Sequence, residues 1–150
     1  MLSPAIISSI EKSVLCWLAT SSQEGIPNVS PKEIFTHFEG DSIIIANIAS
    51  PQTVKNIRQN PQVCISFVDI LVQKGFQLKG TASIIRKADK EFTALSAPLL
   101  AMTGGKFPFT SLTHIKISQA KPILAPRYIL FPETTEEEQI RSSIEQYGLS

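Results

Sequence analysis

The amino-acid sequence predicts a mainly β domain, an antiparallel sheet closed on itself with flanking helices. Three observations predict it. Short apolar or alternating runs recur along the chain, each bounded by turn-forming residues. Only two short helical segments interrupt those runs, so the regular strand–helix alternation of a parallel doubly wound sheet is missing. The chain has 150 residues, 43% of them hydrophobic and 18% charged, which is one domain's length with apolar material for a core and too little charge for disorder. No repeat, linker or low-complexity segment divides it, so residues 1–150 read as a single domain.

The elements follow in order. Ser3 and Pro4 suit the start of a helix, and Ile6, Ile7 and Ile10 share one of its faces. Val14–Ala19 is an apolar strand ended by the turn-rich Ser21–Gly25. Pro27–Phe38 reads as one strand interrupted near Pro31, because proline donates nothing to a ladder. Glu39, Gly40 and Asp41 turn the chain into Ser42–Ile48, whose unbroken Ile43, Ile44 and Ile45 suit a strand buried on both faces. The period changes over Ser50–Gln59, where Val54, Ile57 and Arg58 follow helical spacing. Ser50 and Pro51 serve there as cap and first turn, and Asn60 and Pro61 as the stop. Val63–Val68 is again a strand. The clearest alternation sets Phe76, Leu78, Gly80, Ala82 and Ile84 against Gln77, Lys79, Thr81 and Ser83.

Asp89 is expected to cap a helix carrying Phe92, Leu95 and Leu99, which Pro98 should kink or shorten. Gly104 and Gly105 open a loop before the alternating Leu112–Ser118. Ile123–Phe131, with proline in it, reads as an extended edge strand or arm. Thr135 and Glu138 form a capping box, with Glu136 and Glu137 also placed against the positive end of the helix dipole. Ile140, Ile144 and Tyr147 form that last helix's apolar stripe. The count is six or seven strands.

Composition excludes several functions. A net charge of +1 with no basic run leaves no footprint for a nucleic-acid backbone. No apolar stretch approaches the ~20 residues of a membrane helix, and Met1–Ile10 has no basic residue ahead of its apolar ones, unlike a signal peptide. Cys16 and Cys64 are too few and too far apart for a disulfide framework or a metal knuckle, and read as buried thiols in a reducing cytoplasm. The glycine-rich dinucleotide and phosphate loops, the paired-histidine zinc motif and the serine-nucleophile elbow are all absent, and no metal site is expected. His37 and His114 stand alone on expected strands and read as surface or rim histidines.

One segment carries chemistry of another kind. Ser50, Pro51, Gln52 and Thr53 lie at a strand-to-helix junction. The first amides of a helix have no internal partner and its dipole favours an anion there. Two hydroxyls and an amide side chain add donors, so the segment suits a phosphate as well as an ordinary cap. Lys32, on a strand expected beside Ile43–Asn47, is a cation that could face the same anion or simply be solvated. Lys55 should point away from Thr53, and Gly104, Gly105 and Lys106 read either as a phosphate cradle or as a flexible turn.

An ordered series of short segments resembles the pyridoxamine 5′-phosphate oxidase-like, FMN-binding split β-barrel family. The series comprises Val14–Thr20 followed by Glu24–Pro27; Ile43–Asn47; Thr53–Ile57 with Asn60–Val63; and Leu78–Ala82. The resemblance spans about Ile6 to Ile117. It implies a six-stranded antiparallel split barrel and a homodimer with two FMN sites at the subunit interface. It implies that Lys32, Ser50, Gln52 and Thr53 meet the FMN phosphate. The flavin ring is implied to lie along Ser30, Pro31, Glu33, Ala46, Asn47 and Ile48. Many relatives carry a lysine or arginine where Gln52 and Thr53 stand. The genuine pyridoxamine phosphate oxidases are longer and end in an Arg/Trp-bearing substrate motif, whereas Arg127–Ser150 has no Trp, which speaks against oxidation of pyridoxamine phosphate; residues 122–150 are expected as an arm and helix outside the match. The functions this implies are an FMN-dependent oxidoreductase acting on a small molecule or using a nicotinamide reductant, or a non-enzymatic flavin or electron carrier. The same fold binding F420 or heme is a further alternative. No catalytic residue is assigned.

Overall fold

The computed structural model describes residues 1–149. Its elements are α1 (Pro4–Lys12), β1 (Cys16–Ser21), β2 (Pro27–Lys32), β3 (Phe35–Phe38), β4 (Ser42–Ala46), α2 (Pro51–Gln59), β5 (Gln62–Asp69), β6 (Lys74–Arg86), α3 (Phe92–Thr103), β7 (Ser111–Leu124), α4 (Pro126–Leu130) and α5 (Glu136–Tyr147). The strands form one sheet in the order β2-β1-β5-β6-β7-β4-β3, every pair antiparallel.

That order explains the barrel. The two outermost strands are consecutive in the chain, joined by Glu33 and Ile34 alone. So short a link cannot span an open sheet, and the sheet curls until its edges meet. The Ala46 amide donates to the Ile34 carbonyl at 3.0 Å at that corner. Closure thus divides the segment expected as one strand, giving seven strands, the upper of the two counts read from the sequence and one more than the resemblance implied. It also corrects the neighbours of Lys32. That residue lies opposite Cys16 on β1, and β3 takes the expected place beside β4. Pro31 falls on an edge strand, where a missing donor costs little.

β4 is buried on both faces, as its isoleucine run predicts. Ile43 and Ile45 join the barrel core with Ile6 and Ile10 of α1 and Ile57 of α2. Ile44 and Ala46 turn outward into a second cluster closed by Leu95 and Leu99 of α3. In β6 the expected alternation runs through Gly80, where the register shifts against β7. A Cβ at Gly80 would collide with the Lys116 carbonyl, so the close approach of the two backbones requires glycine there.

Three local expectations are corrected. Ile123 and Leu124 end the long β7, and the residues beyond them form α4, because Pro126 suits a helix's first turn better than an extended arm. Asp89 accepts from the Arg86 amide at 2.7 Å and shapes a turn, while Glu91 stands at the α3 N-cap. Pro98 lies inside α3, which runs on to Thr103, so of its two expected effects the shortening does not occur.

Candidate functional site

The β1–β2 register sets which side chains face inward. Lys32 lies opposite Cys16, and Ser30 opposite Leu18, so Lys32 and Ser30 share the core-facing side of the hairpin. Against that side stands α2. Ile57 roots it in the core, and Asn56, 1% exposed, donates from Nδ2 to Thr20 Oγ1 at 3.0 Å. This buried polar pair fixes where the helix begins.

At that beginning four side chains converge. Lys32 Nζ donates to Ser50 Oγ at 2.6 Å and to Thr53 Oγ1 at 3.2 Å, and Ser30 Oγ lies 3.3 Å from Thr53 Oγ1. Ser50 occupies the N-cap position without capping. Its hydroxyl donates to the Ile48 carbonyl at 3.0 Å and accepts from Lys32, so no side chain closes the first turn of α2. That turn also holds no acidic residue.

The electrostatics are one-sided. Lys32 is 7% exposed, a degree of burial lysine rarely reaches unpaired. The ion pairs among the described residues are His37–Glu11, Lys74–Glu136 and Lys116–Asp41, none of which involves it. Burial pushes the Lys32 ammonium below its ordinary pKa. The facing Cys16 thiol is itself pushed by burial up to about 12, against the opposing pull of Lys32. It is therefore neutral at physiological pH and supplies no counter-charge. An ammonium, hydroxyls and open helix amides form a donor-rich corner suited to an oxyanion such as phosphate.

Beside this corner lies a cavity of about 200 Å³ lined by Pro31, Lys32, Glu33, Ile34, Ala46, Ile48 and Phe107. Pro31, Glu33, Ala46 and Ile48, expected along the ring, thus border one space with Lys32. Two expected residues turn elsewhere. Asn47 donates from Nδ2 to Ser111 Oγ at 3.1 Å and accepts from Thr113 Oγ1 at 2.7 Å. It lines a second, larger cavity of about 450 Å³ with Ser50, Lys55 and Arg58. Gln52 is exposed and spends its side-chain amide on Asn56 Oδ1 at 2.8 Å. Between the two cavities we favour the smaller, because a buried unpaired cation is a stronger constraint than open volume. Ile34 and Phe107 were not anticipated. Ile34 gives no sequence signal, whereas Phe107 directly follows the glycine pair and its lysine.

A small split barrel with an anion-receptive helix start beside an apolar slot defines the class of protein. A sequence model of pyridoxamine 5′-phosphate oxidase matches residues 2–141, and the chain belongs to that family. The match takes in residues 122–141, beyond the reach of the sequence resemblance. An uncharacterized protein of Methanocaldococcus jannaschii is 27% identical over 90 residues, and the match spans 59% of each chain. HupZ of Group A Streptococcus superposes with a TM-score of 0.69 at 23% identity, covering 80% of this chain and 92% of that one. An FMN-binding protein of Syntrophomonas wolfei gives 0.67 at 18%, covering 80% and 84%. HutZ, a heme storage protein of Vibrio cholerae, gives 0.66 at 18%, covering 82% and 94%, and an F420 reductase shares the fold at 0.61. These likenesses establish the split barrel. Among the described residues no helix is long and apolar enough to cross a membrane.

Proposed function

We propose that this chain is an FMN-binding flavoprotein that works as a homodimer and acts as an oxidoreductase on a small molecule or with a nicotinamide reductant. The observation that carries the reading is the buried Lys32, in none of the ion pairs among the described residues, aimed at the uncapped start of α2. A phosphate there gains a charge-assisted bond from Lys32, hydroxyl bonds from Ser30, Ser50 and Thr53, and the open amides of the first turn. Bound FMN supplies the redox chemistry. The chain's own residues bind and orient it: the phosphate corner fixes one end, and Pro31, Ala46 and Ile48 give the ring an apolar wall. The homodimer is supported by an outward apolar strip beside the site. Trp17 lies across from Pro31 and Ala19 from Val29, so all four share the outer face, with Trp17 47% and Val29 59% exposed.

The test is direct. Protein purified from its host is read for visible flavin absorption, its ligand is released and weighed by mass spectrometry, and consumption of NADH and NADPH is followed in air. FMN with turnover is the expected result, and light scattering should give twice the chain mass. FMN without turnover makes the protein a carrier. Release of F420 or heme, or riboflavin held as tightly as FMN, overturns the FMN assignment.

A further inference from the structure

Phe107 differs from every other residue lining the Lys32 cavity. The others come from β4, the residues just beyond it and the β2–β3 corner, whereas Phe107 sits in the irregular loop between α3 and β7. It is 53% exposed, although Phe109, two residues on, is half-buried and packed on Phe92 with ring centroids 6.2 Å apart. The loop therefore has one fixed root. Its other root is Gly104 and Gly105, with φ of +58° and +77° and open space around both, tied to the end of α3 by the Gly104 amide on the Leu100 carbonyl at 3.0 Å and the Gly105 amide on Thr103 Oγ1 at 3.2 Å. Among the described residues no backbone hydrogen bond holds 107–109. Pro108 removes a donor and restricts Phe107 itself to extended backbone, so swinging Phe107 requires turning at the glycine pair and releasing its ties to Thr103.

An exposed aromatic on a hinged arm at the mouth of an apolar slot has a ready use. We propose that Phe107 is the movable aromatic wall of the site, closing over the ring of the bound flavin and stacking on it. This rests on the flavin reading above and extends it, because it makes a planar aromatic ring the feature that this loop selects. Offset stacking is one of the two favoured geometries for such rings, and the one a wall closing over a flat ring would adopt. Lys106 does not join the phosphate corner through its backbone, since its amide already donates to the Thr103 carbonyl at 3.1 Å.

Flavin-stripped protein is titrated with FMN and with riboflavin, for wild type, Phe107→Ala, Phe107→Leu and Phe107→Trp, with circular dichroism as the check on folding. Phe107→Ala should weaken both ligands by a similar factor, about three- to tenfold, since the ring is common to them and the phosphate is not. Bound-flavin emission should darken in Phe107→Trp, because an indole stacked on the flavin is readily oxidised and quenches it, and should change little in the Ala and Leu variants. Unchanged affinity in folded Phe107→Ala, or unquenched emission in folded Phe107→Trp, overturns the proposal alone, as does a change confined to self-association, which would make Phe107 a contact between copies. Wild-type protein that binds neither flavin overturns the flavin reading and this inference together.

Discussion

The helices α2 and α5 both begin with a hydroxyl residue at the N-cap and finish their first turns in opposite ways. At α5, Thr135 Oγ1 accepts from the Glu138 amide at 3.1 Å and Glu138 Oε2 accepts from the Thr135 amide at 3.3 Å. Three glutamates sit in that turn. At α2 the Ser50 hydroxyl turns away, no acid is present, and a buried lysine points at the opening. A helix start closed by its own residues is structural. One left open, with a cation already in place, has the donors and the charge to suit an anion from outside the chain.

The double change Lys32→Ala with Thr53→Val should affect this contrast most. It removes an ammonium and a hydroxyl from the phosphate, and FMN affinity should fall by a few kcal/mol while riboflavin affinity holds. Isothermal titration with both ligands measures it. An equal loss for riboflavin would mean that the corner does not hold the phosphate.

Ser50→Asp makes α2 resemble α5. A carboxylate at the N-cap beside Lys32 should raise ligand-free stability by about 1 kcal/mol and exclude the phosphate by like charge. Urea denaturation and flavin titration should move in opposite directions. If both fall, Lys32 is not an unmatched charge.

Thr135→Ala opens the closed helix. It should cost about 1 kcal/mol of stability, read as a lower thermal midpoint, and leave flavin affinity alone. A change in affinity would tie α5 to the site.

The smallest effect is in pH. With its folded pKa below its unfolded one, Lys32 binds a proton more weakly in the native state. Ligand-free stability should therefore rise with pH between the depressed value and the ordinary lysine range. Over part of that range Cys16, raised to about 12, pulls stability the other way. Lys32→Met isolates the first contribution, because its denaturation curves should lack the rise. FMN affinity in the wild type should weaken as pH climbs past the lowered Lys32 value, because the ammonium's charge is lost.

Much of this was readable in order along the chain. The isoleucine run of β4, the alternation of β6 and the capping box of α5 each depend on residues a few positions apart. The residue types of the anion corner were readable too, with Lys32, Ser50 and Thr53 named as candidates. What the residues could not reveal was long-range. Pro27–Phe38 gives no sign that Glu33 and Ile34 are the corner where two sheet edges meet. Asn47 looks like its neighbours until Ser111 and Thr113, far along the chain on the adjacent strand β7, claim its side chain. Pro126 marks a break whether a helix or an arm follows it.

The sequence by itself therefore determined the strands, the helices and the supply of donors, since periodicity and capping act within a turn or two of chain. Only the tertiary structure decided that Lys32 would be buried opposite a neutral thiol, in no ion pair among the described residues, at a helix start its own serine does not close. Charge and burial depend on which distant segments pack together. Here that was set when the sheet curled and its two edges met at the residues beside Lys32.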